Sequence, residues 1–210
     1  MKVRLLHYLL ATSMAVVVFS SSAQVVGGGA CGSLENAFGP FDYRHIPPQD
    51  LDLVNRGHFT PPVQRLEHGQ STYLGGDLDY ALRAIPNYPA VLWAMMRVAQ
   101  RERTDQPRGS RYTMRCWFDR AILFAPDDPM VRVLYGNYLV EKGQRAEALK
   151  QLGVAEGIAS DDMNLQYNLG LAYFKLKRYD LALRHAKKAY ALGFPLPGLR
   201  DMLKSAGAWR

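Results

Sequence analysis

Residues 129–162 read PMVRVLYGNYLVEKGQRAEALKQLGVAEGIASDD, and residues 163–196 read MNLQYNLGLAYFKLKRYDLALRHAKKAYALGFPL. The stretches are consecutive, each is 34 residues long, and they align without a gap. Gly136 falls on Gly170, Leu139 on Tyr173, Arg145 on Tyr179, Ala148 on Ala182, Leu152 on Ala186 and Ala155 on Ala189. Apolar residues within both stretches recur at i, i+3, i+4 and i+7, the pattern of helices half buried along one side.

The second stretch carries Asn168-Leu169-Gly170, Tyr173, Tyr179-Asp180-Leu181-Ala182 and Ala189. On these residues and their spacing the chain resembles the tetratricopeptide repeat, a 34-residue helix-turn-helix unit. The resemblance implies an all-α array of helical hairpins. Within a unit the two helices should come closest where Gly170 faces Ala182, since small side chains permit the short end of the usual spacing of about 8–10 Å. Leu169, Tyr173, Phe174 and Ala186 would fill the flanking space.

Upstream the pattern continues in altered form. Phe118, Ala121 and Pro126 look like the second helix and closing proline of a unit whose first helix holds Trp93, Met96 and Ala99. The polar run Arg101 to Arg111, with Pro107 and Gly109, lengthens the turn between them. Gly69, Gly76 and Ala81 repeat the spacing of Gly136, Gly143 and Ala148, which predicts a short first unit from Pro62 to Pro89. Four units follow, at 62–89, 90–128, 129–162 and 163–196. A terminal repeat exposes an apolar face. Residues 197–210, with Leu199, Met202, Leu203 and Ala206 on one stripe and Trp209 beside the end, read as the capping helix that covers it.

The N-terminal third has a different texture. Lys2 and Arg4 precede the apolar run Tyr8 to Phe19, and Ser21-Ser22-Ala23 follows, which is the three-part pattern of a secretory signal over residues 1–23. The run is shorter than the roughly 20 residues a spanning helix needs, and an uncleaved anchor is the competing reading. Export to a periplasm or another extracytoplasmic space is expected. Residues 24–61 read as an irregular, extended arm punctuated by Gly39-Pro40, Pro47-Pro48 and Pro61-Pro62. Phe38, Phe41, Tyr43, Ile46, Leu51, Leu53 and Phe59 give the arm enough apolar content to lie along the helices. Gly27 to Gly32 fits G-x-G-x-x-G, but no strand precedes it and no helix opens on it, so it carries no dinucleotide site.

Composition narrows the function classes. The chain has 210 residues, 48% apolar and 21% charged, which suits a folded chain burying roughly 70% of its surface. The formal charge is +7; Lys2 and Arg4 carry two of these charges and residues 1–23 hold no acid, which leaves +5. Arg101, Arg103, Arg108, Arg111 and Arg115, then Lys175, Lys177, Arg178, Arg184, Lys187 and Lys188, form basic faces, with Asp180 spaced to pair with Arg184. No nucleic-acid-binding pattern accompanies them. Anionic lipid or polysaccharide is the alternative partner for these faces.

Two cysteines in an exported chain suggest a disulfide between Cys31 and Cys116 that staples the arm to the repeats. The alternatives are two free thiols, or a thiol-dependent enzyme or redox protein. His45, His58, His68 and Glu67 show no metal-binding spacing, and no cofactor is expected. What the family resemblance implies is a concave groove on the first helices that takes a peptide or partner protein. The positions facing it would be Val133, Asn137, Val140 and Glu141, then Asn164, Tyr167, Asn168, Leu171 and Lys175. Asn137 and Asn168 resemble the paired asparagines of repeats that clamp a carboxylate. The matching lysine position holds Val133, however, and the later basic positions hold Gly198 and Met202. The expectation is therefore a mixed apolar and amide groove that hydrogen-bonds peptide backbone. The rival reading is that these side chains cover one another or hold the arm.

Overall fold

The structure is a computed structural model, and it describes residues 31–70, 73–158 and 161–209. The signal-like segment and the glycine-rich start of the arm lie outside these residues. The described residues form ten helices and no strand. They are α1 (Pro48–His58), α2 (Pro61–Gln64), α3 (Leu74–Ala84), α4 (Pro89–Glu102), α5 (Met114–Phe124), α6 (Pro129–Glu141), α7 (Arg145–Ile158), α8 (Met163–Lys175), α9 (Tyr179–Ala191) and α10 (Gly198–Ser205). None is long and apolar enough to cross a membrane.

Local chemistry sets the boundaries. Asp128 caps α6 by accepting from the Met130 and Val131 amides, and Asp162 caps α8 by accepting from Leu165 at 2.7 Å. Proline opens α1, α4 and α6, where its missing N–H costs nothing. α6 and α8 begin and end 34 residues apart, and so do the starts of α7 and α9. The turns between them share one backbone arrangement: Gln144 donates to the Leu139 carbonyl at 2.8 Å and Arg178 to the Tyr173 carbonyl at 2.9 Å. Both turns pass through left-handed backbone, at Gly143 with φ 73° and at Lys177 with φ 58°. A glycine adopts that conformation freely, and a lysine pays a steric cost for it.

α6 packs along α7 and α8 along α9, while α4, α6 and α8 lie side by side. A β-carbon built on Gly136 would sit 2.8 Å from Leu152 Cδ2, and one built on Gly170 would sit 2.5 Å from Leu199 Cδ2 and 3.3 Å from the Ala182 carbonyl. The close approach expected at Gly170 and Ala182 is present. Leu152 aligns with Ala186, so α9 has no leucine of its own at that point, and α10 supplies Leu199 instead. α10 buries Leu199 and Leu203 against α8 and α9. Buried side chains from Val54 to Leu203 form one continuous core.

The N-terminal portion departs from expectation twice. Residues 31–47 are irregular, but α1 occupies Pro48–His58 inside the stretch read as an extended arm. Pro47-Pro48 does not break the chain: Pro48 sits in the first turn of a helix that buries Val54 and packs on α3. The first unit, 62–89, is not a helix pair. α2 is a single turn that ends where Leu66 enters left-handed backbone with φ 59°, Gly69 lies outside any helix, and Gly76 lies within α3. The spacing of Gly69, Gly76 and Ala81 is therefore coincidental. The lengthened turn, by contrast, is present as residues 103–113 between α4 and α5.

Candidate functional site

The arm lies on the helices and is held along its length. Cys31 is joined to Cys116 on α5, so neither cysteine presents a free thiol. Buried Arg120 directs one guanidinium nitrogen at the carbonyls of Cys31, Gly32 and Ser33, at 2.8, 3.2 and 2.7 Å. Burial pushes its pKa down from the ordinary arginine value, and the three carbonyls replace the water the cation has lost. Arg83 donates to Asn36 at 2.7 Å and the Phe41 amide to the Ala84 carbonyl at 2.8 Å. At the far end the Tyr43 amide donates to Asn87, and Asn87 donates to Asp42 and Asp128. Arg44 pairs with Asp42 and Asp127, and the bond from Arg44 holds the Asp42 carboxyl far below its usual range.

α4, α6 and α8 leave a groove of about 220 Å³ between them. From α6 come Leu134, Asn137 and Glu141; from α8, Asn168, Leu171 and Lys175. α4 contributes Trp93, Met96, Arg97 and Gln100. Trp93 is 48% exposed, far more than its neighbours Leu92, Ala94 and Met95. The polar lining is cross-linked. Lys175 Nζ donates to Asn137 Oδ1 at 3.3 Å, Arg97 donates to Gln100 Oε1 at 2.6 Å, and Gln100 donates to Glu141. Asn168 turns its amide nitrogen back to the Asn164 carbonyl.

Five of the nine expected groove residues, Asn137, Glu141, Asn168, Leu171 and Lys175, are brought together here. Val133 is not among them: it is fully buried, because its position on α6 faces the neighbouring helices. Val140 is half-buried against the core. Tyr167 stacks on Phe194 at 3.8 Å and accepts from the Leu199 amide, which spends it on holding the cap. Asn164 lines a separate depression of about 450 Å³ beside Tyr43 and Arg44 of the arm. Trp93 and Met96 were expected on a first helix but not in the groove, because α4 and α6 start 40 residues apart instead of 34. A signal was present nonetheless: counted from the prolines that open α4 and α6, Arg97 and Asn137 hold the same position.

Five of the eleven cations on the basic faces meet a carboxylate. Arg115 pairs with Asp119, Arg111 with Asp79, Arg178 with Asp180 and Lys188 with Asp161. Arg184 pairs with Glu156 of α7, not with Asp180 as its i,i+4 spacing suggested, since the inter-helix partner is less exposed. His58 stacks on Tyr80 and bonds Asp77, Glu67 pairs with Arg65, His68 lies near the Gly69 carbonyl, and His45 is exposed.

His185 on α9 is a different case, because it is buried. Its Nδ1 meets Gln166 Oε1 at 2.7 Å, and its Nε2 lies 3.8 Å from Glu156, which accepts from the Tyr173 hydroxyl. Burial lowers its pKa below the ordinary 6.5, against the pull of Glu156. Folding therefore favours the neutral ring, so stability is full above about pH 6.5 and falls as the pH drops from there toward the folded-state pKa, by at most about 1.4 kcal/mol per unit. Urea midpoints measured at pH 7.5 and 5.5 should differ more for the natural chain than for His185→Gln. Equal differences would remove the role given to this ring.

No family model matches this chain, and no curated protein matches it either.

Proposed function

We propose that this chain is an exported, tetratricopeptide-like repeat protein that binds a peptide or partner protein in the groove between α4, α6 and α8. The proposal assigns it no catalytic chemistry. Support for the architecture comes from the 34-residue offset of the helix boundaries, the shared turns, and the glycine contacts at Gly136 and Gly170. The signal-like N-terminus motivates export, and a disulfide is compatible with an extracytoplasmic protein.

One observation carries the binding role: a half-exposed tryptophan stands in a trough with two asparagines from adjacent helices. A large aromatic left open beside amide groups is the composition of a binding hot spot with hydrogen-bonding capacity for a peptide backbone. The test is a pull-down from a periplasmic fraction, with candidates then measured by direct titration. Trp93→Ala should weaken the captured partner at least tenfold, and Asn137→Ala with Asn168→Ala several-fold, with no change in melting temperature. Unchanged affinity in both variants would refute the groove assignment.

A further inference from the structure

Resting on the groove assignment above, we infer that its occupant is an acidic, extended peptide segment that places one apolar side chain on Trp93. The inference comes from how the charges are distributed. Elsewhere on the surface some cations meet carboxylates, as in Arg44 with Asp127, Arg56 with Asp52, Arg65 with Glu67 and Lys188 with Asp161. In the groove they do not. The partner of Arg97 is Gln100 and that of Lys175 is Asn137, both neutral, and among the described residues neither cation has a carboxylate within ion-pair distance. The groove's one carboxylate, Glu141, accepts instead from the Gln100 amide.

A second depression of about 360 Å³ adjoins the first, sharing Met96, Gln100 and Glu141, and extends it to Arg103 and Lys142. Lys142 is offset by Asp105, whereas Arg103 has no such partner among the described residues. The trough thus presents three uncompensated cations against one carboxylate, which leaves it positively charged. None of the three stands where a carboxylate-clamping repeat would carry its basic residues, which here are Val133, Gly198 and Met202.

Shape selects a chain over a surface. A bilayer presents its phosphates in a plane, whereas this trough is a hollow between three helices, with its cations exposed along it. An extended peptide rises about 3.3 Å per residue and turns alternate side chains to opposite sides, so acidic residues can meet Arg97 and Lys175 while an apolar one meets Trp93. The amides of Asn137 and Asn168 are placed to bond the backbone between them.

The test uses fluorescence anisotropy with three labelled decapeptides that share one leucine and carry glutamate, glutamine or lysine elsewhere. The glutamate peptide should bind tightest and weaken several-fold between 50 and 300 mM NaCl. Arg97→Gln and Lys175→Gln should each weaken it by about two- to fivefold, and Glu141→Gln should strengthen it, a direction that misfolding cannot imitate. A lysine peptide that binds equally well would overturn the inference. So would binding to phosphatidylglycerol vesicles with none to the glutamate peptide. Glutamine-peptide binding that is lost in Trp93→Ala, with no preference for glutamate, would overturn the acidic occupant and leave the groove assignment standing. Failure of all three peptides, and of partner capture, would overturn both.

Discussion

Gly170→Leu should lower the melting temperature by about 6–12 °C, the equivalent of about 3 kcal/mol in a domain of this size. The added side chain has nowhere to go. Its β-carbon alone would stand 2.5 Å from Leu199 Cδ2 and 3.3 Å from the Ala182 carbonyl, and Leu199 is fully buried. Relief requires moving α10 outward or separating α8 from α9, and either opens core. The sign should reverse at Gly153 on α7, where a β-carbon would meet nothing within 4 Å. Gly153→Ala should therefore stabilise by about 0.4–1 kcal/mol through helix propensity and a less free unfolded chain. Thermal melts of the two variants separate a glycine held by packing from one that is not. A double-mutant cycle between Gly170→Leu and Leu199→Ala should show coupling, because the two changes act on one contact.

The second large effect concerns the staple. Changing Cys31 and Cys116 together to serine should cost about 2–4 kcal/mol, because the bond joins residues 85 apart and its removal restores that freedom to the unfolded chain. The arm should nevertheless stay docked. Arg120 still meets three carbonyls, Phe41 still bonds Ala84, and Asn87 still bridges Asp42 and Asp128. Hydrogen exchange at the Phe41 amide, read beside the melt, separates the two contributions: protection falls with the global stability and no further. A serine pair with an unchanged melt would remove the stabilising role of the bond, and loss of Phe41 protection under native conditions would show that the bond alone holds the arm.

The helices between residues 129 and 196 were legible because each boundary is written locally, in Asp128 and Asp162 as caps, Pro129 as a first-turn residue and Gly143 as a turn. α1 was not, since a proline pair ends one element as readily as it begins another, and only the burial of Val54 against α3 decides which. The failure of α2 to extend is likewise a tertiary matter, set at Leu66. For the groove, the family resemblance named Asn137, Asn168, Leu171, Glu141 and Lys175, which line one hollow. It missed at Val133 and Val140, which turn toward the core, at Tyr167, which holds the cap, and at Asn164, which lies beside the arm. Trp93 was placed on a first helix and Arg97 was not singled out; the six extra residues before α6 kept both out of the groove positions, so their place in the groove came from the fold alone.

The account rests on one claim: α4, α6 and α8 together form the binding surface. Its most direct test is a two-dimensional 15N–1H titration of the whole chain with the glutamate-rich decapeptide, since the Trp93 indole and the side-chain amides of Asn137 and Asn168 each give a resolved signal. The prediction is that these three shift together, at one affinity, with the backbone amides of Arg97 and Lys175, while the Arg184 and Lys188 region of α9 and the arm at Tyr43 stay still. Shifts concentrated on α9 or the arm, with the Trp93 indole unmoved, would contradict it.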